Sequence, residues 1–159
     1  MRISKIEGNM EYAKAASKRS TCLKTRVGAA IFDESNTIVS TGYNGAPRGV
    51  TDCLERGECE RMKRGVKSGT HYSLCNSVHG EQNALLQAGK NAIGGSIYIY
   101  AEDVTTGKAI TLMPCMMCSR MIINAQIKEI YVNCDDHTIG TVTPLVAYKL
   151  SHLNMWDEV

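Results

Sequence analysis

The sequence has little proline, little net charge and no long apolar run, and each shortage argues against a class of protein. Three prolines among 159 residues leave no room for a proline-rich linker. A formal net charge of +2 is too weak to predict binding along a nucleic acid backbone. No stretch approaches the roughly 20 apolar residues that span a membrane, and residues 1–10 lack the apolar core of a signal peptide. We therefore expect a cytoplasmic protein that binds neither membranes nor nucleic acids.

Length and hydrophobic content favour one compact domain over residues 1–159. Hydrophobic residues make up 43% of the chain and charged residues 21%, which are ordinary values for a globular protein. Helices that alternate with strands after an opening hairpin predict an α/β sandwich with one mixed sheet. The predicted helices are Asn9 to about Ser20 with Asn9 as N-cap, His79–Ala88, Pro114–Ala125 and Thr143–Leu150, and the predicted strands are Val27–Phe32, Thr37–Tyr43, Ser96–Ala101 and Ile127–Val132.

Seven cysteines in a chain without a predicted export signal do not suit disulfides. The cytosol keeps thiols reduced, and an odd number would leave one thiol unpaired. Metal binding is the favoured interpretation, although any single cysteine can instead pack as a small hydrophobic residue. Residues 44–77 are cysteine-rich and too long for a bare loop, so we expect an internal fastening there.

The strongest motif combines His79 and Glu81 with a Pro-Cys-x-x-Cys sequence that contains Cys115 and Cys118. Cys-x-x-Cys in the first turn of a helix lets two thiolates converge on one cation, and the helix N-terminus favours their ionised form. With His79 as third ligand, zinc would keep one position for water, which is typical of a catalytic zinc site.

Glu81 follows the predicted histidine ligand by two residues and can reach that water. A carboxylate there can move protons from the water to a ring nitrogen and to departing ammonia. This His-x-Glu with Pro-Cys-x-x-Cys arrangement is the signature of zinc nucleobase deaminases. In the alternative interpretation, Cys115 and Cys118 form a redox pair or merely pack, and His79 is an ordinary residue at a helix start.

Longer stretches of the sequence resemble the deoxycytidylate (dCMP) deaminases. The resemblance covers most of residues 12–132, through Lys18–Cys22, Val27–Ala30, Thr41–Gly49 and the two halves of the zinc motif. It implies a cytidine deaminase-like three-layer αβα sandwich with a five-stranded mixed sheet. It also implies conversion of dCMP to dUMP and ammonia by a hexamer that dCTP with Mg²⁺ activates and dTTP inhibits.

The same resemblance suggests where a substrate or effector binds. Asn44 is the favoured recognition residue because an amide both donates and accepts hydrogen bonds, and Arg48 could contact a phosphate. For Tyr43 a packed position in the core stays open, and for Arg48 and Lys90 a solvated surface position stays open. The candidate substrate and effector residues are Gly42, Tyr43, Asn44, Gly45, Arg48, Asn83 and Lys90.

Five cysteines lie outside the motif, and four of them form a second candidate group. Several relatives carry a second, structural zinc at positions that match Cys22 and Cys53, and four thiolates would close a tetrahedral shell and fasten residues 44–77. His71 can replace one cysteine, and the spacing does not decide between them. Cys134 matches no ligand pattern and is predicted to pack. The candidate ligands of the second zinc are Cys22, Cys53, Cys59 and Cys75.

The basic residues of the cysteine-rich segment are interrupted by glutamates, so we interpret them as a solvated face. They are Arg56, Arg61, Lys63, Arg64 and Lys67.

The contacts to the base are open at this stage. Relatives often carry a base-stacking tyrosine after the strand that ends near Val132, and residues 133–137 contain none, which leaves Tyr100 or Tyr131 as candidates. A deaminase of another cytosine or adenine nucleoside or of a tRNA base would use the same zinc chemistry with a different pocket. A non-catalytic binding module stabilised by zinc is the alternative from another class.

Overall fold

The computed structural model describes residues 1–156, with side chains through residue 152, so residues 157–159 of the predicted domain lie outside the described part. No helix within that part has the length and apolar character needed to cross a bilayer. Two short 3₁₀ turns, Tyr72–Leu74 and Gly89–Ala92, accompany the main elements. Those elements are α1 Lys5–Ser17, β1 Thr25–Phe32, β2 Ile38–Tyr43, α2 Cys53–Arg56, α3 Glu60–Lys63, α4 Gly80–Ala88, β3 Ser96–Asp103, α5 Met116–Asn124, β4 Glu129–Asn133, β5 Ile139–Val142 and α6 Pro144–Trp156.

The five strands form one mixed sheet in the order β2-β1-β3-β4-β5. The β1–β2, β1–β3 and β4–β5 pairs are antiparallel, with Ala29 opposite Gly42 in the first. The β3–β4 pair is parallel, with Ile97 opposite Ile130. The predicted five-stranded mixed sheet is therefore confirmed.

Side chains of the central strands alternate between two cores on opposite faces of the sheet. In β1, Ala29 and Ile31 join the core that contains residues of α4, α5 and α6, whereas Ala30 and Phe32 join the core that contains residues of α1. Strands buried on both faces are expected to be almost continuously apolar, as β1 and β3 are. The result is the predicted three-layer αβα arrangement.

The first helix begins earlier than the sequence predicted. Ser4 is its N-cap and forms a reciprocal capping box with Glu7. The predicted N-cap, Asn9, lies inside the helix and is buried, and its side-chain amide donates to Asn36 Oδ1 at 2.7 Å. The prediction of Asn9 as N-cap was wrong because that tertiary contact satisfies its amide away from the helix end.

The last strand, β5, was not predicted from the sequence. It has four residues, Ile139–Val142, and pairs antiparallel with β4 across a short turn. The β3–β4 pair is parallel, whereas β5 is antiparallel to β4 because a tight turn reverses the chain. The final helix continues to Trp156, beyond its predicted end at Leu150.

Helix α4 is fastened tightly to β2. Ser40 Oγ donates to the carbonyl of Ala84 at 2.8 Å, and Gln87 Nε2 donates to the carbonyl of Thr41 at 2.9 Å. Gly42 is buried between these contacts, where the helix backbone comes too close for a side chain. The absence of a Cβ at Gly42 therefore decides how near the start of α4 comes to the sheet.

Gly42→Ala is expected to destabilise the protein. A Cβ at position 42 would overlap the carbonyl oxygen of Gly80 and the amide nitrogen of Ala84, both backbone atoms that cannot move independently. Overpacking of this kind costs about 1–3 kcal/mol in the free energy of unfolding, and sometimes more. Urea or thermal unfolding measures it.

Gly8→Ala is the matched control for that substitution. Gly8 lies inside α1, and its Cβ would meet Ile3 Cδ1, just before the helix, at an ordinary contact distance of 3.7 Å. Alanine is the better helix former by about 1 kcal/mol, so this variant should be at least as stable as the wild type. A Gly42→Ala protein as stable as the wild type would contradict the close approach of α4.

Candidate active site

Three side chains from two helix starts converge at one point. His79 is the N-cap residue of α4, Cys115 is the N-cap residue of α5, and Cys118 lies in the first turn of α5. The ligand atoms of these residues all lie within 4.8 Å of one another. His79 Nδ1 is 3.5 Å from Cys115 Sγ and 3.4 Å from Cys118 Sγ.

These distances fit a tetrahedral zinc ion. Zinc–sulfur bonds of about 2.3 Å and a zinc–nitrogen bond of about 2.0–2.1 Å, at a tetrahedral angle, give a nitrogen–sulfur edge of about 3.5 Å. Both measured edges from His79 agree with that value. The donor set of one imidazole and two thiols also suits zinc. Three protein ligands leave one position for water or substrate.

The two thiols lie close enough to shift each other's pKa. A hydrogen bond from Cys118, supported by one from His79, lowers the pKa of Cys115 to about 4. The same bond raises the pKa of Cys118. The helix N-terminus also stabilises a thiolate, and a bound metal would favour the ionised form of both cysteines.

Asn133, at the end of β4, positions the segment that leads into α5. Its Oδ1 accepts from the amide of Ala101 at 2.8 Å, and its Nδ2 donates to the carbonyls of Ala101 and Ile110, both at 3.2 Å. Leu112 and Met113 follow and line the same cavity as Cys115. A buried amide therefore fixes the approach of the chain to the first cysteine of the motif.

Glu81 lies in the first turn of α4 and is only 3% exposed, although it lines the cavity. Burial raises its pKa, and the charge of His79 opposes that increase. Its carboxyl group is near enough to Cys115 and Cys118 for both to affect its pKa. A buried carboxyl group beside a metal triad is suited to accept and release a proton.

Comparison with known proteins identifies the family. Residues 3–134 match the family described as the cytidine and deoxycytidylate deaminase zinc-binding region. The chain belongs to this family. The matched residues include His79, Glu81, Cys115 and Cys118.

Similar proteins include deoxycytidylate deaminases of a fungus and a phage. The Schizosaccharomyces pombe protein is 38% identical over 133 residues, which cover 81% of this chain and 38% of that protein. The Mycobacterium phage D29 protein is 34% identical over 124 residues, 74% of this chain and 85% of the relative. The chain thus spans a little over a third of the length of the fungal relative.

A solved structure with a similar fold is the dCMP deaminase of the cyanophage S-TIM5 in complex with dCMP and dUMP. The two chains are 24% identical and superpose with a TM-score of 0.62, over 95% of this chain and 94% of the other. This likeness confirms the cytidine deaminase-like fold predicted from the sequence.

Asn44 is buried in the wall of the cavity and already makes several hydrogen bonds. Its Oδ1 accepts from Ser20 Oγ at 2.6 Å and from the amide of Val27 at 2.8 Å, and its Nδ2 donates to the carbonyl of Thr25 at 2.8 Å. One of its two amide hydrogens is left for a ligand. Neighbouring Gly45 is buried and pairs with Val78.

The other recognition candidates lie farther from the triad. Tyr43 is half-buried, and its carbonyl accepts from Asn83 Nδ2 at 2.8 Å, so the Asn83 amide holds α4 to the end of β2. Arg48 and Lys90 are exposed. Gly42 is covered by α4. Of the seven candidates, Asn44 is the one that lines the described cavity.

Tyr72 is the aromatic side chain of the cavity, and it was not among the residues predicted from the sequence. Its ring packs edge-on against the His79 ring with the centroids 5.1 Å apart. The aromatic candidates, Tyr100 and Tyr131, belong to the core on the α1 side of the sheet, where Tyr131 stacks on Tyr98. A tyrosine seven residues before the catalytic histidine was the available signal.

The four remaining candidate ligands are drawn together by the segment 44–77. Burial raises the pKa of Cys53 to about 11, and the other three thiols add to that increase. Cys59 and Cys75 lie with Cys53 around a small pocket, and all seven cysteines are free thiols. The group is looser than the triad, which is the one set of ligands within 4.8 Å among residues 1–152. His71 is exposed, with Nδ1 3.1 Å from Thr70 Oγ1.

Arg61 departs from the predicted solvated basic face. The other four basic residues of that group are exposed, whereas Arg61 is half-buried and lines the cavity with the triad and Glu81. The interpretation as a solvated face was therefore wrong for Arg61. Charge pattern alone does not show which member of a basic run turns inward.

Proposed function

We propose that the protein hydrolyses the exocyclic amino group of dCMP and releases dUMP and ammonia. The observation that carries this proposal is the buried Glu81 beside the His79–Cys115–Cys118 triad, in a cavity open to a ligand. The names of the similar proteins from S. pombe and phage D29, both deoxycytidylate deaminases, support dCMP as substrate. Residues 1–159 would form one deaminase domain with an insertion at about 44–77.

His79, Cys115 and Cys118 would hold the zinc ion. When bound, zinc lowers the pKa of a coordinated water from about 15.7 to about 7, so a hydroxide nucleophile is available near neutral pH. Glu81 accepts the proton from the attacking water on its carboxylate and transfers it to N3 of the cytosine ring. It then takes the second proton of that water from the oxygen now bonded to C4 and delivers it to the departing amino group, so that the C4–N bond breaks and dCMP and water give dUMP and ammonia.

The remaining cavity residues orient the nucleotide and limit the access of water. The free amide hydrogen of Asn44 can donate to an oxygen of the sugar or base. Tyr72 closes one side of the site against His79, and Leu112 and Met113 provide apolar surface. Burial raises the pKa of the Tyr72 hydroxyl to about 12, so it stays neutral and can donate a hydrogen bond.

Glu81→Gln is expected to abolish most deamination of dCMP and to retain the zinc. The amide cannot move the proton, and general acid–base catalysis contributes about 10²- to 10⁴-fold. The loss of cytosine absorbance with dCMP, run beside cytidine and dCTP, measures turnover, and elemental analysis measures zinc.

Glu34→Gln is the matched control, because Glu34 is an exposed carboxylate that pairs with Lys128 on the surface. It should leave kcat unchanged. If the zinc-loaded wild type turns over none of the cytosine nucleotides, the substrate is another base or a tRNA. Full activity in Glu81→Gln would exclude Glu81 as the group that moves the proton, and a zinc-loaded wild type that deaminates no base at all would support a non-catalytic binding module.

A second zinc is proposed at Cys22, Cys53, Cys59 and Cys75. Burial and the neighbouring thiols together raise the pKa of Cys53, which is the situation that a shared cation relieves. Four thiolates leave no position for water, so this zinc would be structural. Its role would be to fasten the segment 44–77, whose helices α2 and α3 have four residues each.

The metal content of cysteine variants tests both sites. The wild type should bind two zinc ions per chain, and Cys118→Ala and Cys75→Ala should each bind one, because each removes a ligand of a different ion. Cys134→Ala is the control and should bind two. Elemental analysis with circular dichroism distinguishes ligand loss from unfolding. Two zinc ions in Cys75→Ala would exclude Cys75 from the ligand set.

Regulation by nucleotides and a hexameric assembly are proposed from the resemblance to the deoxycytidylate deaminases. In that proposal dCTP with Mg²⁺ activates and dTTP inhibits. Lys90 and Arg48 are exposed and carry the positive charge that a triphosphate needs.

Lys90→Ala should weaken the response of dCMP turnover to dTTP, because it removes a cation that can contact the triphosphate. Lys108→Ala removes another exposed lysine and is the control. Turnover of dCMP titrated with dTTP, or with dCTP and Mg²⁺, measures the response, and light scattering gives the assembly size. A wild type indifferent to both triphosphates would exclude the regulation.

A further inference from the structure

Arg61 extends from α3 into the insertion and is held there by the backbone. Its Nη2 donates to the carbonyl of Thr70 at 2.6 Å and to the carbonyl of Lys67 at 3.2 Å. The guanidinium carbon lies 5.1 Å from the centroid of the Tyr72 ring, within range of a cation–π contact. Two carbonyls and an aromatic face therefore fix the plane of the guanidinium group.

The same guanidinium group has donors left over. Its Nε is buried and has no hydrogen-bond partner among the described residues. Within residues 1–152, no carboxylate forms an ion pair with Arg61, although neighbouring Lys63 and Arg64 both pair with glutamates. A half-buried cation with unsatisfied N–H groups is unfavourable unless an anion completes it. The missing partner is therefore expected to be an anionic ligand.

The position of Arg61 indicates what that anion belongs to. Tyr72 contacts both Arg61 and the triad, because the guanidinium carbon and the centroid of the His79 ring each lie 5.1 Å from its ring centroid. Arg61 and Lys24 supply the positive charge of the cavity wall. Glu81 and several thiols line the same cavity. A nucleotide with its base at the triad would extend its sugar past Tyr72 and bring its phosphate toward Arg61.

We propose that Arg61 binds the 5′-phosphate of the nucleotide substrate and so selects the monophosphate over the nucleoside. This inference rests on the proposed deamination of dCMP. A guanidinium group binds phosphate through charge-assisted N–H donors, and Nε and Nη1 are the nitrogens of Arg61 that do not donate to these backbone carbonyls. Because the backbone carbonyls already fix Nη2, the group is preorganised for the anion. Arg48, the phosphate contact considered from the sequence, is exposed and lies outside the lining of this cavity.

The test compares two substrates that differ only in the phosphate. In zinc-loaded Arg61→Ala, kcat/KM for dCMP should fall about 10- to 100-fold, which corresponds to the loss of hydrogen bonds to a charged group. The value for deoxycytidine should stay within about twofold of the wild type. Arg61→Lys retains the charge without the planar guanidinium group, so its kcat/KM for dCMP should fall between those of the wild type and Arg61→Ala.

Two arginine variants serve as controls. Arg64→Ala removes an exposed guanidinium that pairs with Glu60 one turn away and should leave both substrates unchanged. Arg48→Ala examines the other candidate for the phosphate contact. A loss confined to dCMP in Arg48→Ala, with none in Arg61→Ala, would overturn the proposal. Equal losses for dCMP and deoxycytidine in Arg61→Ala would also overturn it, since that result is expected if Arg61 only holds residues 67–70 in place.

Inhibition by inorganic phosphate gives a second measurement that does not depend on nucleoside turnover. Phosphate should compete with dCMP in the wild type, and its inhibition constant should rise at least about tenfold in Arg61→Ala. An unchanged constant would contradict a phosphate contact at Arg61. If the wild type deaminates neither dCMP nor deoxycytidine, the proposed function itself fails. If the wild type deaminates dCMP and Arg61→Ala does so equally well, only the phosphate contact at Arg61 is excluded.

Discussion

The N-termini of α4 and α5 meet at one end of the sheet, and the chemistry of the protein depends on that meeting. Each helix leads through a short connection into a strand of the parallel β3–β4 pair, so both helices run antiparallel to those strands. Their first turns carry His79, Glu81, Cys115 and Cys118. The contact of α4 with Gly42 sets the height of the histidine, and the amide of Asn133 sets the approach to the first cysteine.

Charge balance in the cavity follows from the same convergence. Burial raises the pKa of Glu81, and the hydrogen bond with Cys115 together with burial raises that of Cys118. Repulsion between the neighbouring negative groups adds to both increases. A divalent cation offsets this repulsion and lets all three groups ionise. Beside Tyr72, Arg61 has the opposite imbalance, a cation without an anion. The two ends of the cavity therefore suit a metal at one end and a phosphate at the other.

The sequence was informative wherever a local pattern decides the structure. The hairpin of β1 and β2, the start of α4 at His79 and the start of α5 at the Pro-Cys-x-x-Cys motif were predicted within a few residues. Apolar periodicity and helix-start residues are local signals, which explains that success. The strand β5 was missed because four residues, only partly buried, carry little periodicity. Asn9 was wrongly predicted as an N-cap because its hydrogen-bond partner, Asn36, is distant in sequence.

By itself the sequence determined the zinc motif, the mixed α/β architecture and the family, since ligand identity and spacing are written in consecutive residues. Only the tertiary structure decided which other side chains reach the motif. Arg61 lies in the same charged run as Arg64, yet one turns into the cavity and the other pairs with Glu60 on the surface. That difference arises from the path of residues 53–75 across the cavity, which long-range contacts fix and which neighbouring residues do not encode.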